Sequence, residues 1–213
     1  HFSDVAFALG LLARCVAHRA GAGLPVSATR IVIIAKAPLA GFAKTRLIPA
    51  LGAQGAAALA QRMFYSTLQT ALAAQLGPVE LCVVPEPTDA AWRALAVPSH
   101  VAWSTQCAGD LGARMADAAA RTVMQCERVL LIGTDCPALS ATHLQAAAAG
   151  LEEHDATLIP STDGGYVLLG LKRFDAVLFE HMPWSTNTVA VETLGRLQCI
   201  NWSVQHSPHC KTL

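Results

Sequence analysis

Residues 31–47, IVIIAKAPLAGFAKTRL, constrain the fold more than any other stretch of the chain. The opening run, IVIIA, is apolar and rich in β-branched side chains, with no polar residue at alternate positions. A strand with one wet face alternates. A strand that does not alternate is covered on both faces, as in a parallel sheet flanked by helices. The run stops at Lys36, and Lys36, Lys44 and Arg46 then place three cations around Pro38 and Gly41. Ligands of open α/β sheets bind in the crevice beyond the carboxyl ends of the strands. A cationic loop at that position predicts an anionic ligand, phosphate above all.

The rest of the chain continues the alternation of strand and helix. Residues 54–75 are Ala-rich, with Leu59, Met63, Leu68 and Leu72 near helical spacing, and Gly77-Pro78 ends the helix. VELCVV (79–84) reads as a second strand, 89–95 as a short helix and 101–103 as a weak third strand. GDLGARM (109–115) opens a helix reaching about residue 125. Asp110 stands where a helix cap belongs, and Arg114 falls in the first turns at the crevice end. VLLIG (129–133) is a buried strand that runs straight into Thr134, Asp135, Cys136 and Pro137, and Ser140 starts a helix to about residue 150. TLIP (157–160) and 167–171 are strands joined by Ser161-Thr-Asp163-Gly164-Gly165-Tyr166. Asp-Gly-Gly between apolar runs predicts a tight hairpin. The same glycines permit close backbone approach to a ligand, with Asp163 facing a metal or a hydroxyl. Pro183-Trp184-Ser185-Thr186-Asn187 precedes a helix over 189–197, where hydroxyls and backbone donors suit an anion; Trp184 also reads as core.

This order predicts an α/β three-layer sandwich with a mostly parallel sheet and one antiparallel excursion near Asp163. The domain is expected over 30–200. Residues 1–29 read as a helical extension and linker, and 201–213 as an irregular tail. The apolar run at 5–13 follows Asp4 rather than a cationic segment, the wrong flank for a secretory signal. It reads instead as a helix on the domain surface or as a contact in a homodimer.

Composition excludes several classes. Hydrophobic residues make up 53% of the 213 positions and charged residues 14%, yet no apolar run approaches the roughly 20 residues of a membrane span. The formal net charge is zero, which argues against a nucleic-acid-binding field. Cations gathered in one loop of a neutral protein point to a small anionic ligand. The seven cysteines are odd in number and form no C-x-x-C pair. They read as scattered, reduced thiols of a cytoplasmic protein. His206, His209 and Cys210 fall in the expected tail.

At the crevice edge the sequence collects Lys36, Lys44 and Arg46 with Asp135 and Asp163. Cations neutralise phosphate oxygens, and carboxylates hold a hard divalent cation, Mg²⁺ or Mn²⁺, that bridges them. Gly41-x-x-Lys44-Thr45 is not a Walker loop, because two residues separate Gly from Lys, and no G-x-G-x-x-G follows the first strand. No Ser/His/Asp or Cys/His arrangement stands out for covalent catalysis.

AKAPLAGFAKTRL, GDLGARM, IGTDCPAL, PSTDGGYVLLGL and PWSTNTV, in that order, resemble the DUF2064 family of glycosyltransferase-A-like proteins, whose members are labelled transferases associated with radical-SAM enzymes or arsenosugar biosynthesis. The resemblance spans about 30–197 and implies the nucleotide-diphospho-sugar transferase fold. It implies nucleotide and phosphate binding by Ala35, Lys36, Ala37, Pro38, Gly41, Lys44, Thr45 and Arg46, joined by Asp110 and Arg114. Gly164, Gly165, Tyr166, Trp184, Ser185 and Thr186 fall on the acceptor or sugar side. Asp135 and Asp163 are the implied metal ligands, and with Lys44 the implied catalytic residues. Asp135 stands alone in Gly-Thr-Asp-Cys-Pro, without the Asp-x-Asp of many metal-dependent glycosyltransferases. That pattern is similar to the Gly-x-Asp-x-Pro of nucleotidyltransferases. The expectation is a metal-dependent, glycosyltransferase-like transferase that uses a nucleotide or nucleotide-sugar and acts on a small acceptor. The alternatives are a nucleotidyltransferase releasing pyrophosphate and a non-catalytic nucleotide- or partner-binding domain.

Overall fold

The two-sided cover expected of residues 31–33 is present. A computed structural model describes residues 29–125, 128–207 and 209–211. In it Ile31, Val32 and Ile33 are all fully buried, on strand β1 (Thr29–Lys36). Alternate residues point to opposite faces. Ile31 and Ile33 meet Phe64 and Leu68 of α1 (Ile48–Ala73) and Leu144 and Leu151 of α4 (Ala141–Glu153). Val32 meets Met115 and Ala118 of α3 (Leu111–Met124) and, further along that face, Leu197 of α5 (Val189–Cys199). Helices on both faces of one sheet make three layers. Each Ile or Leu fully buried this way contributes about 1.5–3 kcal/mol over exposure.

The sheet has seven strands in the order β3-β2-β1-β4-β6-β5-β7. Their ranges are β2 Val79–Val84, β3 Ala102–Thr105, β4 Arg128–Ile132, β5 Ala156–Pro160, β6 Tyr166–Leu171 and β7 Val204–His206. β6 runs antiparallel to both neighbours and all other pairs are parallel. The antiparallel excursion is therefore where Asp-Gly-Gly placed it. The short helix α2 (Ala90–Arg93) is capped by Asp89 and buries Trp92 against Phe64.

Two differences from expectation have physical causes. The helix after the cationic loop begins at Ile48 rather than near residue 54, with Pro at its first turn and a break at Gly52, whose φ of 69° only glycine adopts freely. The expected irregular tail instead closes the sheet: β7 pairs with β5, and Cys210 bridges to Ser161. The apolar N-terminal segment at 5–13 lies outside the described residues. Among the described residues, no helix is long and apolar enough to cross a membrane.

Candidate functional site

From β1 the chain steps outward to β2 and β3, then returns to β4 on the other side of β1. Loops leaving β1 and β4 therefore diverge, and a crevice opens between the two carboxyl ends, as at the switch point of other open sheets. The loop after β1 supplies Lys44 and the turn after β4 supplies Asp135. Lys44 Nζ donates to Asp135 Oδ1 at 3.1 Å, joining residues 91 apart in sequence. The lysine side chain is 12% exposed and the carboxylate 68%. The stem of Lys44 is thus laid along the protein while the Asp135 carboxylate faces solvent. Thr134 Oγ1 also donates to Asp135 Oδ1, at 3.3 Å.

Local geometry holds the loop open. Ala37 N–H donates to Val84 O, tying the loop's start to the end of β2. Ala35 and Ala37 are buried and Pro38 is half-buried. Gly41 has φ 78° and nothing within 4 Å of where a Cβ would stand, so open space fronts the loop. Lys44 itself is left-handed, φ 48°, immediately before the tight turn Thr45–Leu47. A non-glycine residue held at positive φ stores strain, a feature that collects at ligand sites. Lys36 lies over the Phe42 ring at 6.0 Å, and Thr45 and Arg46 are exposed.

Arg114 and a residue the sequence reading passed over, Gln106, form the next wall. Gln106 is 8% exposed. Its side-chain amide donates to Ala35 O and Cys82 O, each at 2.9 Å, and its backbone N–H donates to Val83 O. One side chain thereby fastens the carboxyl ends of β1 and β2. Its Oε1 accepts from Arg114 Nη1 at 3.2 Å, while Arg114 Nε is buried without a partner. The guanidinium thus lies beside Gln106 at the carboxyl edge. Asp110 uses Oδ1 to cap α3 through Ala113 N–H. Nothing in the sequence flags Gln106, because its partners are backbone carbonyls distant along the chain.

The remaining motifs interlock. A Cβ at Gly112 would stand 2.6 Å from Phe179 O and 2.7 Å from Trp184 Nε1. One at Gly164, φ 90°, would collide with the Asn187 backbone. Gly164 O accepts from Ala190 N–H, and Gly165 packs beside Ser161. Glycines in two motifs are thus seats for the PWSTN segment. Trp184 is edge-on to Tyr166, ring centres 6.5 Å apart, and its indole N–H is buried without a partner. The Tyr166 hydroxyl turns inward to Met115 Sδ, and burial pushes the phenol well above its usual range against a hydrogen bond from Thr193. Thr186 Oγ1 donates to Pro183 O and Ser185 is exposed in a left-handed turn. Asp163 Oδ1 accepts from Ser161 Oγ and Gly165 N–H, so it shapes the hairpin. The antiparallel course of β6 still puts that hairpin on the crevice edge.

A cleft of about 70 Å³ is lined by Gly133, Asp135, Cys136, Tyr166 and Val167. A larger cavity, about 260 Å³, lies at the opposite edge beside Thr29 and Arg128. There Arg128 pairs with Glu152 at 2.7 Å and Gln145 donates to Ala74 O, so its polar groups satisfy one another. The smaller cleft, which Asp135 lines, is the candidate site. Among the described residues, no three His, Cys, Asp or Glu side chains cluster to hold a metal. An exposed carboxylate beside cations nevertheless fits Mg²⁺ or Mn²⁺, which are commonly held by one or two carboxylates together with substrate phosphates. Behind Asp135, buried Cys136 lies with Sγ 3.1 Å from Sγ of buried Cys210. Burial and that neighbouring thiol push Cys136 up to about 11.

The family described as "Uncharacterized protein conserved in bacteria (DUF2064)" matches residues 67–186. No curated protein matches. Among solved structures, a protein of Desulfovibrio desulfuricans G20, provisionally named a nucleotide-diphospho-sugar transferase, is 30% identical, with a TM-score of 0.80 over 88% of this chain and 83% of its own. Rv0371C of Mycobacterium tuberculosis H37Rv, in complex with manganese, is 16% identical, with a TM-score of 0.50 over 88% and 92%. CMP:2-keto-3-deoxy-manno-octonic acid synthetase in complex with CTP is 10% identical, with a TM-score of 0.54 over 87% and 91%. The latter two show the fold alone. The architecture is that of the nucleotide-diphospho-sugar transferases.

Proposed function

The chain belongs to the DUF2064 family, and on that premise we propose that it is a metal-dependent transferase that binds a nucleotide or nucleotide-sugar and transfers a glycosyl group to a small acceptor. The observation that carries this reading is the Lys44–Asp135 pair across the β1/β4 switch point. An ion pair between an exposed carboxylate and a lysine contributes about 0–1 kcal/mol to a fold. Such a pair is readily exchanged for stronger partners. Lys44 turns to a phosphate oxygen and Asp135 to a divalent cation, with the charges still balanced. Lys36 and Arg46, exposed on the same loop, neutralise further phosphate oxygens, and Arg114 is oriented by Gln106 toward the same edge. The cation, when bound, supplies neutralisation of charge on the leaving phosphate. Asp163 is the second candidate oxygen ligand, and Gly164, Gly165, Tyr166 and the Trp184–Thr186 turn flank the acceptor side.

A second reading, nucleotidyl transfer, is favoured by one feature: Asp135 stands alone in Gly-Thr-Asp-Cys-Pro. The products separate the two. A panel of nucleoside triphosphates and nucleotide-sugars with Mn²⁺ or Mg²⁺ is scored for release of nucleoside diphosphate or pyrophosphate. Nucleoside diphosphate supports glycosyl transfer and pyrophosphate supports nucleotidyl transfer. Binding without either product marks a non-catalytic domain, and no binding at all overturns the proposal.

A further inference from the structure

Directly after Asp135, the turn leaving β4 carries Cys136, which the proposed reaction does not use. Its sulfur lies 3.1 Å from that of Cys210, 74 residues later, and both side chains are 7% exposed. The contact is not a chance approach of two loose loops. Cys210 N–H donates to Pro160 O at 2.8 Å and Cys210 O accepts from Thr162 N–H at 3.1 Å, fixing that segment to the end of β5. Cys136 Sγ reaches Lys211 O at 3.3 Å, on the same segment. Two thiols are thus held face to face by backbone on one side and a strand end on the other.

We propose that Cys136 and Cys210 are a reversible redox pair whose disulfide tethers the Asp135 turn to the C-terminal segment and weakens ligand binding at Asp135. The oxidant is a peroxide. The Cys210 sulfur attacks the O–O bond as its thiolate, giving a sulfenic acid and releasing water once the expelled hydroxide takes up a proton. The second sulfur then displaces the sulfenic hydroxyl as a second water, and the S–S bond forms. Two thiols lose two electrons and two protons, and hydrogen peroxide is reduced to two waters. Sulfurs in a disulfide are about 2.05 Å apart, so closure from 3.1 Å draws the turn by about 1 Å. A binding constellation needs its first contacts within about 0.5 Å, and Asp135 is the adjacent residue. The regulatory half of the proposal rests on the function proposed above; the cross-link does not.

The test begins with reduced protein treated with hydrogen peroxide and then digested for peptide mapping. The expected product is one cross-link between Cys136 and Cys210, with loss of two hydrogens. A rise in Tm on the order of 10 °C should accompany it, since the bond closes a long loop, and dithiothreitol should reverse both. Cys210→Ser and Cys136→Ser should each abolish the cross-link. Sulfinic acid at either thiol in place of the bond, or pairing with Cys107 or Cys199, overturns the proposal from wild-type protein alone, whether or not the variants fold. Whichever nucleotide binds the reduced protein with Mn²⁺ is then titrated into the oxidised form. Its affinity should fall about tenfold or more, and unchanged affinity overturns the regulatory half. If the reduced protein binds no nucleotide, the functional reading and the regulatory half fall together, and the mapping alone decides the thiol pair.

Discussion

At the scale of single residues, the Lys44–Asp135 pair separates stability from function. Its carboxylate is 68% exposed, so breaking the pair costs the fold under about 1 kcal/mol. Asp135→Asn is therefore expected to leave the Tm within a few degrees of wild type. The additional rise given by Mn²⁺ with a bound nucleotide should disappear. Differential scanning fluorimetry with and without Mn²⁺ reads both; a retained metal-dependent rise sinks the assignment of Asp135. Tyr166 makes a prediction of opposite kind. Burial of its hydroxyl keeps the phenol protonated in the native state beyond its ordinary pKa of 10.0. The unfolded chain ionises first, so its stability contribution is complete below about pH 10 and is lost as pH rises past that value. Tyr166→Phe removes the titration. Denaturant melts on either side of pH 10 should show a shallower fall for the variant, and parallel falls count against the buried hydroxyl. The cations and Asp135 were legible because charge stands out at the end of an apolar run. Gln106 and the Cys136–Cys210 contact were not, because each is defined by partners that only the folded sheet brings near.

At the scale of elements, the carboxyl ends of the strands are held by side chains rather than by the ladder alone. The buried Gln106 amide satisfies Ala35 O and Cys82 O together. Gln106→Leu keeps much of the volume but removes the side-chain donor from both carbonyls and the acceptor from Arg114 Nη1. Each lost hydrogen bond is worth about 0.5–1.5 kcal/mol, so urea unfolding should show a loss of about 1–3 kcal/mol. Nucleotide affinity should fall as well, because the same change releases Arg114. A neutral substitution would mean that water replaces the amide without cost. The central strands and long helices were readable from apolar period, since two-sided burial leaves IVII and VLLI without polar positions. The weak third strand and the helix start at Ile48 were read less well. β3 is partly exposed along its length, and the helix crosses a break at Gly52 that no periodicity reveals.

At the scale of the whole molecule, the sheet depends on a segment whose sequence has no strand signature. β7 is three residues long, with two of them exposed. An edge strand needs a partner on one side only and so shows no apolar pattern, which is why 201–213 read as an irregular tail. Yet β5, the strand it covers, is buried at every position, Ala156–Pro160. Trp202 is 9% exposed, with the Arg173 guanidinium 4.7 Å from its ring centre. Asp155 accepts from the Ser203 N–H and hydroxyl, each at 3.0 Å. Truncation after Asn201 removes all three contacts and turns β5 into a flat apolar edge, a template for pairing with other chains. Such a chain is expected to lose most of its soluble yield and to elute as aggregate in size-exclusion chromatography. Substituting Gln205 and Ser207 by proline in the full chain tests the ladder separately, because Trp202 and Ser203 remain while the N–H groups that face β5 are lost. That variant should retain solubility better than the truncation yet melt several degrees below wild type. If instead the truncated chain is monomeric with a cooperative melt near wild type, β7 is an ornament of the sheet and the domain ends at α5.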